Sequence, residues 1–193
     1  MYINVYGDID MTRKAAHLRE EIDIPEGVSV EVDNLLVKVS GPKGSLQRSF
    51  DYANGIIIKV EDRKVILETF FADREKKALL YTIASHIKNM ITGVTKGWRY
   101  KLKIVTSHFP VNAKVVGNEI LIENFLGERA PRRAKIVGDV KVRIEGKDII
   151  VEGIDLEAVA QTAANIEMAT RVKDKDRRVF VDGVYIYEKG VAI

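Results

Sequence analysis

Arginine and lysine side chains bind phosphate oxygens. They are clustered in a short stretch of the second half of the chain. The stretch begins at residues 127–133, a predicted interstrand loop that contains Pro131. Planar guanidinium groups donate paired hydrogen bonds to phosphate, and loops on a rigid sheet commonly carry binding residues. The side chains expected to contact an anion here are Arg129, Arg132, Arg133 and Lys135.

A second cationic stretch follows the second predicted helix, in a segment without helical or strand periodicity. Asp174 and Asp176 interleave it, so by itself it fits a solvated charged segment as well as a binding site. Two such stretches in one half nevertheless favour a polyanionic partner. Paired exposed aromatic residues are missing from the pattern, which favours recognition of folded RNA by shape and backbone. The cations of this stretch are Arg171, Lys173, Lys175, Arg177 and Arg178.

A glycine-rich loop with a central lysine occurs in the first half, at residues 40–45. A Gly-x-x-Gly loop of this kind clamps the RNA backbone in KH domains, where it lies between two helices. Here it falls between two predicted strands, so a tight interstrand turn is the better interpretation. Lys43 at its tip remains a candidate phosphate contact.

The residue types needed for catalysis or metal binding are scattered. His17, His86 and His108 fall in different predicted elements without ligand spacing around them, and the chain contains no Cys. We find no nucleophile elbow, phosphate-binding loop or dinucleotide fingerprint. The sequence therefore predicts a protein that is not an enzyme and that has no cofactor, no metal and no small-molecule substrate.

Composition favours a folded protein of the cytoplasm. Apolar residues make up 46% of the 193 and charged residues 31%, with a net charge of +3. These proportions allow a sizeable core and suggest an anionic partner only weakly. The first ten residues do not resemble a signal peptide, and no apolar run is long enough to span a membrane.

An internal duplication organises the chain. Residues 60–68 align without a gap against 144–152, 84 residues later, and every apolar position matches. The segments 34–37 and 118–121 align at the same spacing. The helical segments 78–85 and 158–165 also resemble each other, at a spacing of 80. Because three pairs recur in the same order, we expect two copies of one fold.

Each copy is predicted to be an α+β unit, a small antiparallel sheet covered by one helix. We expect helices from Asp73 to Gly93 and from near Asp155, with hairpin turns at residues 33–34, 62–63, 117–118 and 146–147. Residues 11–21 resemble a short helix. The predicted organisation is an N-terminal extension (1–21), a first repeat (22–104) and a second repeat (105–193) that forms the main RNA-binding domain.

Three motifs carry a resemblance to a known family. They are residues 39–44, residues 124–129, and a C-terminal signature with the residues Val172, Lys175, Arg178, Phe180, Asp182, Gly183, Val184, Tyr185, Ile186, Glu188 and Lys189. Together they resemble ribosomal protein six of the large subunit, in its archaeal and eukaryotic form, number nine in eukaryotes. The resemblance covers about residues 22–189. One departure is Met168, where the family often has Gln.

The resemblance implies two copies of an α+β fold and contact with large-subunit (23S-type) ribosomal RNA, mainly through the second copy. It also implies a position near the sarcin-ricin loop and the factor-binding region, beside neighbouring large-subunit ribosomal proteins, and no catalysis. The alternative is a protein-interaction scaffold outside the ribosome that uses its sheet edges. The RNA contacts that the resemblance supports are Arg129, Arg132, Arg133, Lys173, Lys175, Arg178 and Lys43.

Overall fold

The computed structural model describes residues 15–173, 175–176 and 178–192. The chain forms two compact units, and the division falls between Val94 and Thr95. The sequence-based boundary lay ten residues later, between residues 104 and 105.

Over its described residues, 15–94, the first unit forms two antiparallel sheets and one helix. Its sheets have three strands each, in the orders β1-β6-β5 and β2-β3-β4. Alternate residues of the central strands point into the core, as Val37 and Val39 do in β3. The elements are β1 (Ala15–Asp23), β2 (Ser29–Asp33), β3 (Leu36–Gly41), β4 (Gly44–Ser49), β5 (Ile56–Glu61), β6 (Lys64–Ala72) and α1 (Arg74–Thr95).

The helix expected at residues 11–21 is wrong for the part that the structure describes. Residues 15–21 belong to strand β1, which pairs antiparallel with β6 and sets Ile22 opposite Val65. Leu18 and Ile22 both pack into the first core. A spacing of four places two residues on the same side of a helix and also of a strand, so only the partner strand decides. Residues 11–14, and most of the predicted extension, lie outside the described residues.

Helix α1 begins as predicted and ends later. The Asp73 carboxylate accepts the backbone N–H of Lys76 at 2.9 Å, which caps the first turn. Gly93 was predicted to end the helix, but it is buried within it, and α1 continues to Thr95. Gly97, with φ of +77°, adopts the left-handed conformation that follows many helix ends. One face of α1 is apolar and buried, and it includes Leu80, Ile83, Ala84, Ile87 and Ile91.

The second unit also contains two antiparallel sheets and one helix. A four-stranded sheet has the order β11-β12-β7-β13, and a three-stranded sheet has the order β10-β9-β8. The elements are β7 (Trp98–Val105), β8 (Asn112–Val116), β9 (Glu119–Glu123), β10 (Arg132–Lys135), β11 (Lys141–Glu145), β12 (Asp148–Gly153), α2 (Leu156–Ala169) and β13 (Gly183–Val191).

The sheet orders confirm the tandem α+β fold. The sheet β1-β6-β5 has the same connectivity as β7-β12-β11, and β2-β3-β4 has that of β8-β9-β10. Each unit therefore holds two sheets where the sequence predicted one. The predicted hairpin turns are present, with positive φ at Asn34, Asp62, Gly117 and Gly146. Strand β1 is the equivalent of β7, so each copy begins with a strand, and β13 is an addition to the second copy.

Helix α2 packs closely on its sheet. The Asp155 carboxylate accepts the N–H of Glu157 at 3.0 Å and caps the helix at the predicted place. Val159, Ala163 and Ile166 are buried in the second core. A Cβ added to Gly153 in β12 would lie 2.9 Å from a methyl of Val159, so the close approach depends on this glycine. The C-terminal end of α2 contacts β10, where Arg132 donates to the carbonyl of Ala169.

Candidate nucleic-acid interface

Arg132 lies between the two basic segments and forms hydrogen bonds with both. Its Nε and Nη2 donate to Oε2 and Oε1 of Glu128, at 2.9 and 2.6 Å. Its Nη1 donates to the carbonyl oxygens of Ala169 at 3.0 Å and Arg171 at 3.1 Å. These carbonyls lie at the end of α2, where backbone acceptors lack helical partners and where a cation is favoured. Arg132 therefore connects the loop before β10 to the second basic segment.

The loop that precedes β10 is shaped by its own backbone. Asn124 and Leu126 have positive φ values of 57° and 52°, and the Asn124 amide donates to the carbonyl of Pro110 at 2.9 Å. Phe125 is buried and packs at the end of β9. The Arg132 guanidinium lies 4.3 Å from the centroid of the Phe125 ring. The hydrogen bond from Arg132 lowers the pKa of the Glu128 carboxyl, although partial burial has the opposite effect.

Strand β10 turns its other cations to solvent. Ala134 is buried, so the alternation of the strand directs Arg133 and Lys135 to the opposite face. The Arg133 side chain is 66% exposed and its Nη1 lies 3.5 Å from Glu119, whereas the Arg132 side chain is only 22% exposed. Arg129 in the loop is also exposed. Two adjacent arginines thus occupy different environments, one structural and one open to a ligand.

The segment after α2 presents the second group of cations. Arg171, Lys173, Lys175 and Arg178 are all exposed, and Arg177 lies outside the described residues. Asp176 accepts the backbone N–H of Arg178 at 3.0 Å, so this interleaved acid shapes the turn. The Lys175 Nζ lies 4.5 Å from the centroid of the Phe180 ring. Phe180 therefore contacts the basic segment from within the same stretch of chain.

A buried carboxylate that sequence reasoning missed fixes the end of this segment. Asp182, 2% exposed, accepts the backbone N–H of Ser107 at 2.8 Å and of His108 at 3.2 Å. Burial raises the pKa of Asp182, but hydrogen bonds from Ser107 and His108 outweigh it and hold that pKa well below its usual range. His108 stacks on Phe180 with ring centroids 4.5 Å apart. Only the position of Asp182 in the C-terminal signature pointed to it.

Ser107, His108 and Asp182 resemble a hydrolase triad in type but not in geometry. The Ser107 Oγ lies 3.1 Å from His108 Nδ1, and Asp182 Oδ2 lies 2.6 Å from the same nitrogen. In a catalytic triad the serine and the aspartate engage opposite ring nitrogens, so that a proton passes from one side to the other. This cluster therefore joins the start of β13 to the residues after β7.

Lys43 lies in the first unit, apart in sequence from the other candidates. It occupies the predicted tight turn, in which Gly41 pairs with Gly44 between β3 and β4. Its backbone N–H donates to the carbonyl of Val94 at 3.0 Å, near the end of α1. A Cβ on Gly41 would lie 2.8 Å from Val94 Cγ2, so this turn packs tightly on the helix end. The Lys43 side chain is exposed.

Metal-binding and membrane-spanning features are not found in the part of the chain that the structure describes. Over those residues, no three His, Asp or Glu side chains are grouped closely enough to hold a metal ion. Neither of the helices described is long and apolar enough to cross a membrane.

These observations define a class of protein: a duplicated α+β protein whose second unit displays clustered cations. The group formed by Ser107, His108 and Asp182 serves packing in that unit. The family model described as Ribosomal protein L6 matches residues 24–97 and 109–183. The chain belongs to the ribosomal protein L6 family, which confirms the resemblance found in the sequence. Because this is a family of ribosomal proteins, the expectation that the chain is not an enzyme is also confirmed.

Curated relatives support the assignment over nearly the whole chain. The large ribosomal subunit protein uL6 of Staphylothermus marinus is 63% identical over 180 residues, which cover 92% of this chain and 97% of the relative. The proteins of the same name from Ignicoccus hospitalis and Aeropyrum pernix are 58% and 57% identical, and each alignment covers 92% of this chain and 98% of the relative.

Proposed function

We propose that the chain is a structural constituent of the large ribosomal subunit, in the cytoplasm, and that it binds folded 23S-type ribosomal RNA through its second unit. The observation that carries the proposal is that two clusters of Arg and Lys residues lie on folded backbone of the second unit. One cluster lies on β10 and its preceding loop, and the other follows α2. Arg132 joins them through the end of α2. Preorganised cations lose little side-chain freedom on binding phosphate, which favours affinity.

The exposed cations are the phosphate contacts in this proposal. Their side chains are exposed to solvent, and their backbone belongs to the folded second unit. Arg132 differs, because most of its N–H donors bond within the protein, and it positions the other cationic residues. Arg177, outside the described residues, is assigned with them from the sequence alone. The proposed contacts are Arg129, Arg133, Lys135, Arg171, Lys173, Lys175 and Arg178.

The first unit supplies a secondary contact at Lys43. The turn that carries Lys43 is fixed to the end of α1, so its lysine is presented on a stable support. The family resemblance implies a site near the sarcin-ricin loop and the factor-binding region, beside other large-subunit proteins. We adopt that location as part of the proposal.

Sedimentation of the chain with large subunits tests the function. We expect the chain to sediment with the subunit at low salt and to be released at high salt, because phosphate contacts weaken as salt rises. Binding of the purified chain to protein-free 23S-type RNA, with the same salt dependence, is the second expected result. Retention with a protein partner after complete nuclease digestion would instead favour the scaffold alternative.

A further inference from the structure

Two neighbouring cavities open at the C-terminal end of α2. The larger, of about 360 Å³, is bounded mainly by apolar and aromatic groups, among them Met168, Phe180, Val181 and Tyr185. The smaller, of about 290 Å³, is bounded by Arg132, Met168, Ala169, Arg171 and Lys173. Both cavities include Met168 and Arg171 in their walls, so the two cavities adjoin at these residues.

The larger cavity has fixed walls. The Tyr185 hydroxyl donates to the carbonyl of Val181 at 3.2 Å, which holds the aromatic ring in place. The Thr170 hydroxyl accepts the N–H of Val184 at 2.9 Å in the buried floor. Glu167 accepts the N–H of Ile186 at 3.3 Å, which places a carboxylate in the wall. An apolar cavity with a few positioned polar groups is typical of a small-molecule site, and its volume lies within the usual range of about 300–1,000 Å³.

The smaller cavity has the opposite character. Three of its five lining residues are cationic and none is acidic. Arg132 is held by Glu128, but Arg171 and Lys173 are exposed at the rim. This arrangement suits an anion with several oxygens, such as a phosphate group.

We propose that the two cavities together hold one nucleotide extruded from the ribosomal RNA, with its base in the larger cavity and a phosphate in the smaller. Sequence-specific RNA contacts commonly use unstacked bases that pack on aromatic side chains. The Glu167 carboxylate repels a phosphate and accepts hydrogen bonds from an exocyclic amino group, so it orients the nucleotide and favours cytosine over uracil. This inference rests on the proposed function and specifies the ligand of that surface.

Nuclear magnetic resonance of the full chain, with labelled methyl groups, tests the base site. The probes are cytidine 5′-monophosphate, uridine 5′-monophosphate, ribose 5-phosphate and inorganic phosphate. We expect the cytidine nucleotide to shift the methyl signals of Met168 and Val181, and to bind more tightly than the uridine nucleotide. The two probes without a base should shift only the backbone signals of Arg171 and Lys173. Equal methyl shifts with all four probes, or none with any, would overturn the proposal.

Binding of 23S-type RNA provides the second test. Met168 and Val179 are both exposed, at 69% and 59%, but only Met168 lines the cavities. Met168→Trp fills the larger cavity and should lower RNA affinity roughly tenfold, consistent with the loss of one stacked base. The matched control Val179→Trp should bind normally. Dimethyl sulfate probing should show a base that the wild type and the control protect and Met168→Trp leaves reactive.

The outcomes separate this inference from the function on which it rests. A Met168→Trp variant that binds RNA with normal affinity and protection overturns the nucleotide site and leaves the proposed function intact. A wild-type chain that does not bind RNA contradicts the proposed function first. Reduced entry of Met168→Trp into subunits, with unchanged RNA binding, would assign the cavities to a neighbouring protein and overturn the proposal.

Discussion

Arg132 donates two hydrogen bonds to the carboxylate of Glu128, four residues earlier in the chain, and this pair fixes the guanidinium against the end of α2. The remaining Nη1 donates to two backbone carbonyls, one on Ala169, the last residue of α2, and one on Arg171 just after it. A lysine has no planar fork and makes fewer of these contacts at once. The pair therefore holds Arg132 in place at the centre of the basic surface.

Replacement of Arg132 should lower the free energy of unfolding by more than the loss of one surface charge would. Arg132→Ala leaves the carbonyls of Ala169 and Arg171 without this donor and removes the contact with Phe125. We expect a loss of about 2 kcal/mol in the free energy of unfolding, measured by urea denaturation. Arg133→Ala is the matched control, because its exposed side chain should change stability by less than about 0.5 kcal/mol. Equal losses in the two variants would contradict the positioning role.

Replacement of the exposed cations of β10 should affect RNA binding and its salt dependence. In Arg133→Ala combined with Lys135→Ala, we expect weaker binding to 23S-type RNA across sequences. The slope of log affinity against log salt should fall by about one for each lost phosphate contact. Lys59→Ala, at an exposed position on β5 in the first unit, is the control and should leave the slope unchanged. An unaltered slope in the double variant would remove Arg133 and Lys135 from the interface.

The buried carboxylate of Asp182 should make stability depend on acid pH. Its pKa in the folded state lies below its ordinary value of 3.8, so its contribution is fully present above that value. The contribution is lost progressively as the pH falls from there toward the folded-state pKa. Asp182→Asn should therefore be less stable than the wild type at pH 7, and the difference should shrink below about pH 4. Urea denaturation from pH 7 to pH 2.5 measures it.

A control for the Asp182 experiment is Asp139→Asn, which neutralises an exposed carboxylate. It should keep the wild-type unfolding midpoint at pH 7. If Asp182→Asn keeps that midpoint as well, the hydrogen bonds from Ser107 and His108 do not stabilise the fold.

Close packing of α2 on β12 should be sensitive to a single methyl group. Gly153→Ala places a Cβ 2.9 Å from Val159 Cγ2, and we expect a loss of about 1–3 kcal/mol in the free energy of unfolding. Gly190→Ala in β13 is the matched control, because a Cβ there meets no atom within 4 Å. Combining Gly153→Ala with Val159→Ala should cost less than the sum of the two single losses, because the added methyl occupies space that the Val159 methyl groups leave. Identical unfolding midpoints for the two glycine variants would contradict the argument.

Local sequence features determined much of the fold. The caps at Asp73 and Asp155 and the hairpin turns depend on neighbouring residues, so their type and order suffice to predict them. The duplication was likewise visible, because both units need the same apolar pattern to bury the same faces. The end of α1 was predicted too early, since Gly93 lies in a buried position where tertiary packing offsets its weak helix propensity.

Only the tertiary structure decided which basic residues are open to a ligand. Arg132 and Arg133 are adjacent and identical in type, so no sequence pattern distinguishes them. Strand β10 directs one toward Glu128 and the end of α2, and the other toward solvent. Strand β1 and the Asp182 cluster were missed for the same reason: their partners, β6 and residues 107–108, are distant in sequence. The sequence determined where cations and apolar faces occur, and long-range packing determined their roles.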